Sequence, residues 1–368
     1  MRLAQTFAAV LVTIPLISSS FAKTPQFIEH VQVELGAPAY AIALADFNGD
    51  GIPDMAATHF HGSSISVLLG TVSGFGQPVR YVTGTLPAGI AVADFNNDGK
   101  LDIVTANAGK SVSVLLGNGD GTFQAQMNYA SNNASVNLTV ADFNGDGNLD
   151  VAVAGGTSNP PAVSVLLGNG DGSFRPGVTL AHENVAVAAG DFNGDGKVDL
   201  VAGGGGSVYV SLGNGDGTFQ PRVSYALAGT TFGIAVADLN GDGKLDIAAT
   251  SYYKGVVGVL LGNGNGTFQQ RVDYGTGHSP WPITVNDIDG DGRPDLIVGS
   301  ASSVTLLLGA GDGTFRPKVL YPTAGSLEGI ATADVNGDGR VDIAAVGLSA
   351  HVASLLINSG TGVLPARH

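Results

Sequence analysis

The chain has 368 residues, which by length alone allows two or three domains, and its formal net charge is −15. It contains 56 glycines and no cysteine, and only 13% of its residues are charged. The lack of cysteine excludes a disulfide framework, a thiolate metal site and a cysteine nucleophile. The acidity argues against a nucleic-acid partner, which requires a basic surface, and the glycine content favours short strands and tight turns over helices.

The N-terminal segment, residues 1–22, has the pattern of a secretory signal peptide. Arg2 precedes a short apolar run, and the small residues Ser20 and Ala22 follow it, which predicts cleavage after Ala22. An uncleaved anchor is the alternative, but a membrane span needs about 20 apolar residues, and no later stretch of the sequence is long enough. We therefore expect an exported, monomeric mature chain, residues 23–368, that is secreted, periplasmic or on the cell surface and has no membrane span.

An acidic motif recurs along the mature chain, and in its fourth copy it reads DFNGDGKVD. The seven copies begin at Asp46, Asp94, Asp142, Asp191, Asp238, Asp287 and Asp334. Successive copies begin 47 to 49 residues apart. Such regular spacing predicts one architecture of seven similar units across residues 23–368, because internal repeats of this length are typical of propellers and solenoids.

Each repeat contains four short apolar runs in the same order. A run such as GIAVADF precedes the acidic loop, DIVTA follows it, SVSVLLG comes third, and a run such as QQRVDY comes last. Four strands joined by Gly/Asn/Asp turns predict an antiparallel meander. The sequence therefore predicts an all-β fold, a seven-bladed β-propeller of four-stranded antiparallel blades. The Ala- and Gly-rich first run suits the crowded innermost strand.

The two ends of the chain favour a closed ring over an open solenoid. The seventh repeat stops at His368 without a fourth run, whereas the segment Gln26–Leu35 precedes the first acidic loop, as a fourth run would. We expect this N-terminal strand to complete the last blade. Closure would remove the open edges that a solenoid must protect.

The acidic loops have the composition of calcium sites. Side-chain oxygens recur at positions 1, 3, 5 and 9, position 7 can offer its backbone carbonyl, and a glycine at position 6 permits a sharp turn. Ca²⁺ takes six to eight oxygen ligands in such arrangements, whereas zinc and copper prefer the His or Cys that these loops lack. An EF-hand is excluded because position 12 is Ala57 in the first loop and Ala202 in the fourth, where a Glu is required.

The seven loops together hold 22 of the 31 acidic residues. Carboxylates crowded within one turn repel one another unless a cation is bound, which favours about seven structural Ca²⁺ ions over Asx-rich turns that bind nothing. The predicted metal ligands are Asp46, Asn48, Asp50, Ile52, Asp54, Asp94, Asn96, Asp98, Lys100, Asp102, Asp142, Asn144, Asp146, Asn148, Asp150, Asp191, Asn193, Asp195, Lys197, Asp199, Asp238, Asn240, Asp242, Lys244, Asp246, Asp287, Asp289, Asp291, Arg293, Asp295, Asp334, Asn336, Asp338, Arg340 and Asp342.

With these motifs the chain resembles the FG-GAP/VCBS repeat family and the calcium-binding propeller of integrin α subunits. The matching features are the seven D-x-[ND]-x-D-G-x-x-D loops, the VADF-like runs before them and the VLLGNGDGTF turns after them, which together cover nearly all of the mature chain. The resemblance implies Ca²⁺ loops on one face and ligand-binding loops on the other. It names no ligand, because this scaffold serves adhesins, lectin-like modules and appendages of enzymes.

The second set of turns, of the type GNGDGTF, is also rich in Asp and Asn. Asn265 replaces the aspartate in one copy and the first repeat has TVSGFG instead, so a metal role would be inconsistent between repeats. Asn-Gly and Asp-Gly are hairpin-turn residues. We expect these turns to be structural, with their phenylalanine packed between blades.

The segments in which the repeats differ are expected on the face opposite the acidic loops. The most distinctive are residues 58–64, 251–255 and 275–282. The candidate ligand-binding residues there are Tyr252, Tyr253, His278 and Trp281. Aromatic side chains beside polar groups suit a sugar ring or a protein contact, although they can equally pack against their own loops. His59 and His61 could share a metal, but the sequence offers no third ligand.

Two function classes remain open at this point. The first is a non-catalytic binding or adhesion module for an extracellular protein or a glycan. The alternative is a polysaccharide-active propeller enzyme, a hydrolase or lyase, which as a glycosidase would need a carboxylate pair outside the loops. We expect no enzymatic activity because no catalytic motif stands out. The acids outside the loops are Glu29, Glu34, Asp120, Asp171, Glu183, Asp216, Asp273, Asp312 and Glu328.

Overall fold

A computed structural model describes residues 24–131, 134–155, 162–181, 186–323 and 325–362. These residues form thirty β-strands, of which all but two belong to seven four-stranded antiparallel sheets. The prediction of a seven-bladed, all-β propeller is therefore confirmed. The predicted signal peptide, residues 1–22, lies outside the described residues.

The blades are numbered from the first acidic loop onwards, and their strands are given from the innermost to the outermost. Blades 1 to 4 comprise β2 (Ile42–Ala45), β3 (Asp54–His59), β4 (Ser64–Leu68) and β7 (Val79–Val82); β8 (Pro87–Ala93), β9 (Asp102–Asn107), β10 (Ser111–Leu115) and β11 (Met127–Ala130); β12 (Asn137–Ala141), β13 (Asp150–Gly155), β14 (Ala162–Gly168) and β15 (Phe174–Ala181); and β16 (Ala186–Gly190), β17 (Asp199–Gly204), β18 (Ser207–Ser211) and β19 (Val223–Ala226).

Blades 5 to 7 follow the same order, and blade 7 takes its outermost strand from the N-terminus. They comprise β20 (Ile234–Ala237), β21 (Asp246–Ser251), β22 (Val256–Leu260) and β23 (Val272–Gly275); β24 (Ile283–Asn286), β25 (Asp295–Gly299), β26 (Ser303–Leu307) and β27 (Val319–Pro322); and β28 (Gly329–Ala333), β29 (Asp342–Val346), β30 (Val352–Gly362) and β1 (Thr24–Glu34). The remaining two strands, β5 (Gly70–Thr71) and β6 (Gly74–Phe75), form a small hairpin in blade 1.

The ring closes in two ways. Each innermost strand contacts the innermost strands of its neighbours, and β28 contacts β2, so the seventh blade meets the first. In addition, β1 pairs antiparallel with β30 along its length, for example Val31 with Leu355 and Val33 with Ala353. The N-terminal strand thus completes the last blade, as the sequence predicts, and joins the first and last strands of the described residues.

Small residues allow the blades to approach closely at the axis. A Cβ atom added to Gly233 would lie 2.3 Å from the carbonyl oxygen of Trp281 in the next blade. At Gly329 it would lie 2.9 Å from the carbonyl oxygen of Tyr40. Only glycine tolerates such approaches, which explains the glycine content of the first run in these repeats.

The hydrophobic core lies between adjacent blades. The phenylalanine at position 2 of an acidic loop packs edge-to-face on the phenylalanine of the next blade's hairpin turn, as in Phe47 on Phe123 (ring centroids 5.3 Å apart) and Phe192 on Phe268 (5.5 Å). The prediction that the turn phenylalanines pack between blades is confirmed. Each edge-to-face pair adds about 0.5–1.5 kcal/mol beyond the burial of its two rings. Within the described residues no helix is long and apolar enough to cross a membrane.

Candidate metal centres and a cavity at the opposite face

The first aspartate of each acidic loop organises the turn around itself. In the fourth loop, Asp191 Oδ1 accepts hydrogen bonds from the backbone N–H groups of Gly194 (2.7 Å) and Asp195 (3.2 Å). Its Oδ2 accepts from Gly196 at position 6 (2.8 Å). Gly196 has a φ of +79°, a conformation that side chains other than glycine rarely adopt. The bond from position 6 recurs in all seven loops at 2.7–2.8 Å.

Positions 3 and 5 are held by the same kind of bond. Asn193 Oδ1 accepts from the N–H of Asp195 (3.0 Å), and Asp195 Oδ1 accepts from the N–H of Lys197 (2.9 Å). Each of these oxygens has further lone pairs, so these bonds orient the side chains without exhausting their capacity to bind a cation.

The aspartate at position 9 has a second role that the sequence does not reveal. Asp199 is fully buried, and its Oδ2 accepts from the N–H of Phe192 at position 2 (2.8 Å). Its Oδ1 accepts from the N–H of Gly213 (2.7 Å), which lies in the turn between the third and fourth strands. One carboxylate therefore fastens the acidic loop to the hairpin turn of the same blade.

In every blade the position-9 carboxylate is fully buried and accepts two backbone bonds, the second of them in blade 7 from Asn358 on β30. Burial is the main cause that raises the pKa of these carboxyls, and the neighbouring loop carboxylates add to it. The pKa rises to about 6 for Asp150 and to about 7 for Asp295. The residues are Asp54, Asp102, Asp150, Asp199, Asp246, Asp295 and Asp342.

The sixth loop shows how the carboxylates converge. Oxygens of Asp287, Asp289 and Asp295 lie within 4.8 Å of one another, the one group of three or more potential His, Cys, Asp or Glu ligands found among the described residues. The other loops carry neutral Asn at position 3, an oxygen donor without a charge. A donor set made only of oxygens fits Ca²⁺, so the residues present suit the ion that the sequence predicts.

An arginine from outside the loop also contacts the carboxylates of the sixth loop. Arg316, in the hairpin turn region of blade 6, contacts Asp289 (3.1 Å) and Asp291 (2.9 Å). Asp291 lies outside the group of three converging carboxylates. The guanidinium therefore neutralises part of the negative charge in the loop with the most aspartates.

Aromatic side chains from three blades meet on the face opposite the acidic loops. The Trp281 ring lies 4.5 Å from that of Phe232, 6.0 Å from that of Tyr252 and 6.0 Å from that of Tyr40. Tyr40 also stacks on Phe60, with centroids 5.3 Å apart. The sequence-based prediction of an aromatic site on this face thus has a structural counterpart, and it is larger than the sequence indicated.

A cavity of about 240 Å³ opens at the axis beside these rings. Its walls are the beginnings of the innermost strands of blades 1, 2, 3, 5, 6 and 7, and they include Tyr40, Phe232, Trp281 and Glu328. The acidic loops follow the other ends of the same strands. The cavity is therefore the mouth of the central channel on the face away from the loops.

The four candidate ligand-binding residues have different environments. Trp281 lines the cavity, and the Tyr252 ring packs against the Trp281 ring. Tyr253 is 75% exposed and contacts Tyr252 with its ring centroid 5.1 Å away. His278 is exposed and is absent from the cavity wall, with its carbonyl accepting a bond from Ala301.

Three contributors to the cavity were missed by sequence reasoning: Tyr40, Phe232 and Glu328. A signal for them exists, because all three lie six residues before the first aspartate of an acidic loop, as Trp281 does. We call the residues at this position the entry ring; from blade 1 to blade 7 they are Tyr40, Ala88, Val136, Val185, Phe232, Trp281 and Glu328. Position 185 lies outside the described residues, and five of the other six line the cavity.

The two histidines of blade 1 have separate environments. His59 is buried, with Nδ1 3.1 Å from the carbonyl oxygen of Pro38 and Nε2 2.7 Å from Ser66 Oγ. Its pKa is lowered chiefly by burial. His61 is exposed beside Phe60. Both ring nitrogens of His59 are engaged, so this residue has no free ligand atom for a metal shared with His61.

Most of the chain matches a known family of repeats. A family model described as FG-GAP-like repeat matches residues 46–105, 94–153, 142–202, 191–249, 238–298 and 287–345. No curated protein sequence matches the chain significantly.

Solved structures share the fold at low sequence identity. One describes the specific recognition of non-reducing terminal N-acetylglucosamine by an Agrocybe aegerita lectin; it is 22% identical, with 85% of this chain and 86% of that chain covered and a TM-score of 0.57. Two others are of BBS1N in complex with ARL6DN, soaked with mercury (11% identity, coverage 90% and 98%) or lead (12% identity, coverage 92% and 100%), both with a TM-score of 0.62. At these identities the likeness concerns the fold.

Proposed function

The chain belongs to the FG-GAP-like repeat family, and we propose that it is an exported, calcium-stabilised binding module that holds a protein or glycan ligand at the mouth of its channel. In this account the acidic loops are structural and the opposite face is the recognition surface. Export rests on the signal-peptide pattern of residues 1–22.

The loops support the calcium part of the proposal through their donor set. Side-chain oxygens recur at the same four positions in every copy, and in the sixth loop three carboxylates already converge. The ligands would be the residues at positions 1, 3, 5 and 9 together with the carbonyl of position 7. A bound Ca²⁺ would neutralise the crowded carboxylates and fasten the loop between the first and second strands of its blade.

The entry ring is the observation that carries the binding part. Six of the seven blades have a described residue at this position, and three of these residues are large aromatics brought together at a cavity. Aromatic anchors in a concave, partly buried site are typical of ligand recognition. The lectin of similar fold recognises a sugar, which makes glycans the first class of ligand to screen.

The test is a screen of the mature chain, in calcium, against a glycan array and against extracellular proteins. Trp281→Ala should weaken the strongest interaction about tenfold. The control is Leu320→Ala, which removes an exposed apolar side chain from the outermost strand of the same blade. If Trp281→Ala leaves the binding profile unchanged, the ligand site is elsewhere on the molecule.

The enzyme alternative is tested with the glycans that bind. Incubation with a bound polysaccharide should release neither new reducing ends nor unsaturated products. Release of either product that depends on the protein would replace the binding proposal with a hydrolase or lyase.

A further inference from the structure

The aromatic members of the entry ring are grouped on one side of the channel. Blades 5, 6, 7 and 1 are consecutive around the closed ring, and they contribute Phe232, Trp281, Glu328 and Tyr40 in that order. The described members from blades 2 and 3 are Ala88 and Val136. One side of the entry ring thus consists of three aromatic rings and one carboxylate, and the described members on the other side are one alanine and one valine.

The three aromatic rings of the entry ring are inclined to one another, and further aromatic side chains pack against them. The planes of Tyr40 and Trp281 are 89° apart, whereas Phe232 and Trp281 are tilted by 34°. Phe60 stacks on Tyr40, and Tyr252 makes edge-to-face contacts with Phe232 and Trp281. These contacts fix the rings of the entry ring in the free protein, which lowers the entropic cost of binding a ligand.

Glu328 supplies the negative charge on the aromatic side of the entry ring. Its Oε2 accepts a hydrogen bond from the N–H of Leu348 (3.1 Å), which fixes the carboxylate. Burial raises the pKa of the Tyr40 hydroxyl, and the negative charge of Glu328 raises it further. The charge of Glu328 therefore acts on the aromatic side of the cavity. None of the described residues that line the cavity is a lysine or an arginine.

The combination of aromatic faces with one carboxylate selects for positive charge. Aromatic faces carry negative potential and attract cations, most strongly where water is excluded. A substituted ammonium ion is weakly hydrated compared with a metal ion and can contact several rings at once. The cavity volume of about 240 Å³ is below the roughly 300–1,000 Å³ typical of drug-sized ligands, so only a small group can enter.

We propose that the channel mouth binds a small organic cation, a substituted ammonium group held by Tyr40, Phe232 and Trp281 with Glu328 as its counter-ion. This inference names the chemistry of the ligand and rests on the proposed function, in which the same cavity is the recognition site. It does not depend on whether the ammonium belongs to a free solute or to a larger ligand.

The experiment is a calorimetric titration of the calcium-loaded mature chain with choline and with 3,3-dimethylbutan-1-ol, its neutral isostere. Choline should bind at least about tenfold more tightly than the isostere, because only the charged ligand gains from the rings and the carboxylate. Trp281 is the one tryptophan of the chain, so choline should also change the intrinsic fluorescence.

Glu328→Gln should weaken choline binding and reduce the preference for choline over the isostere to the part that the rings provide, and Trp281→Ala should weaken choline binding about tenfold. The matched control is Glu34→Gln, which neutralises an exposed glutamate on β1 far from the cavity wall. Choline binding by this control should equal that of the wild type. The wild-type comparison of the two ligands remains decisive even if a variant fails to fold.

Equal affinity for choline and the isostere, or no binding of choline, overturns the inference. A positive glycan or protein screen that depends on Trp281 would then keep the proposed function and show that its ligand is not a cation. A choline affinity that is unchanged in Glu328→Gln also overturns the inference, because the counter-ion would play no part.

Discussion

The two faces of the propeller are built from positions of the same repeat, and they differ in how strictly those positions are repeated. On one face, aspartate occupies positions 1, 5 and 9 of all seven loops. On the other face, the entry ring contains a tyrosine, an alanine, two valines, a phenylalanine, a tryptophan and a glutamate. Uniform positions reflect a requirement that every blade shares, whereas a position that varies around the axis produces an asymmetric surface suited to recognition.

The structural reason for the uniformity lies in the buried carboxylate at position 9. It satisfies one backbone N–H in the acidic loop and another in the hairpin turn, so each blade needs it. The described entry-ring side chains share no such bond from blade to blade, and five of these six residues line the mouth of the channel. They are free to differ without opening the ring.

The largest loss of stability is expected from Asp199→Ala. The substitution leaves the N–H groups of Phe192 and Gly213 buried without acceptors, and each costs about 1–3 kcal/mol. We expect the free energy of unfolding to fall by about 3 kcal/mol, measured by chemical denaturation in calcium. Asp216→Ala, in the exposed hairpin turn of the same blade, should leave the midpoint nearly unchanged. Equal effects of the two variants would remove the distinction between buried and exposed aspartates.

A smaller effect is expected from Gly233→Ala on the opposite face. The new methyl group would meet the carbonyl oxygen of Trp281 at 2.3 Å, so blades 5 and 6 must shift, at a cost of about 1–3 kcal/mol. Ligand affinity should fall with stability, because Trp281 moves. The control is Gly229→Ala, whose nearest neighbour would be the flexible Lys254 side chain at 3.4 Å. A Gly233→Ala protein that is less stable but binds normally would separate Trp281 from the ligand site.

The smallest change, in the pH dependence of stability, is expected from His59→Gln. Burial lowers the pKa of His59 in the folded protein, and the nearby Arg80 and His351 act in the same direction, whereas an unfolded histidine titrates near 6.5. Below about pH 6.5 the unfolded chain therefore binds more protons, and the contribution of His59 to stability is lost as the pH falls towards the lower folded pKa. His59→Gln should flatten the loss of stability between pH 7 and pH 5, measured by denaturation. His61→Gln should retain the wild-type slope; a wild-type slope in His59→Gln would contradict this assignment.

The fold could be predicted almost completely, because a regular repeat of strands and turns leaves few architectures, and the unmatched run at Gln26–Leu35 indicates how the ring closes. The packing of the turn phenylalanines between blades also follows from the repeat. The structural role of Asp199 could not be predicted, since it depends on the distance to a turn 14 residues away.

The aromatic cluster on the opposite face could be predicted only in part. Trp281 and Tyr252 stand out because they break the repeat pattern, but Tyr40 is 241 positions from Trp281 in sequence, and only the closed ring brings their side chains together. Glu328 was one of nine acids outside the loops, and only its place six residues before an acidic loop distinguishes it. Arg316 likewise reaches Asp289 and Asp291 across 27 and 25 residues, a contact set by the blade and not by the loop.

In the proposed function the acidic loops are calcium sites that stabilise the ring, while the opposite face binds the ligand. The most direct test is thermal unfolding of the mature chain with calcium and with EGTA. Binding to seven loops should raise the midpoint by at least about 10 °C, since each site at 100 times its Kd adds about 2.7 kcal/mol. An unchanged midpoint over a full calcium titration would contradict the account, because the seven loops would then not bind calcium in the folded protein.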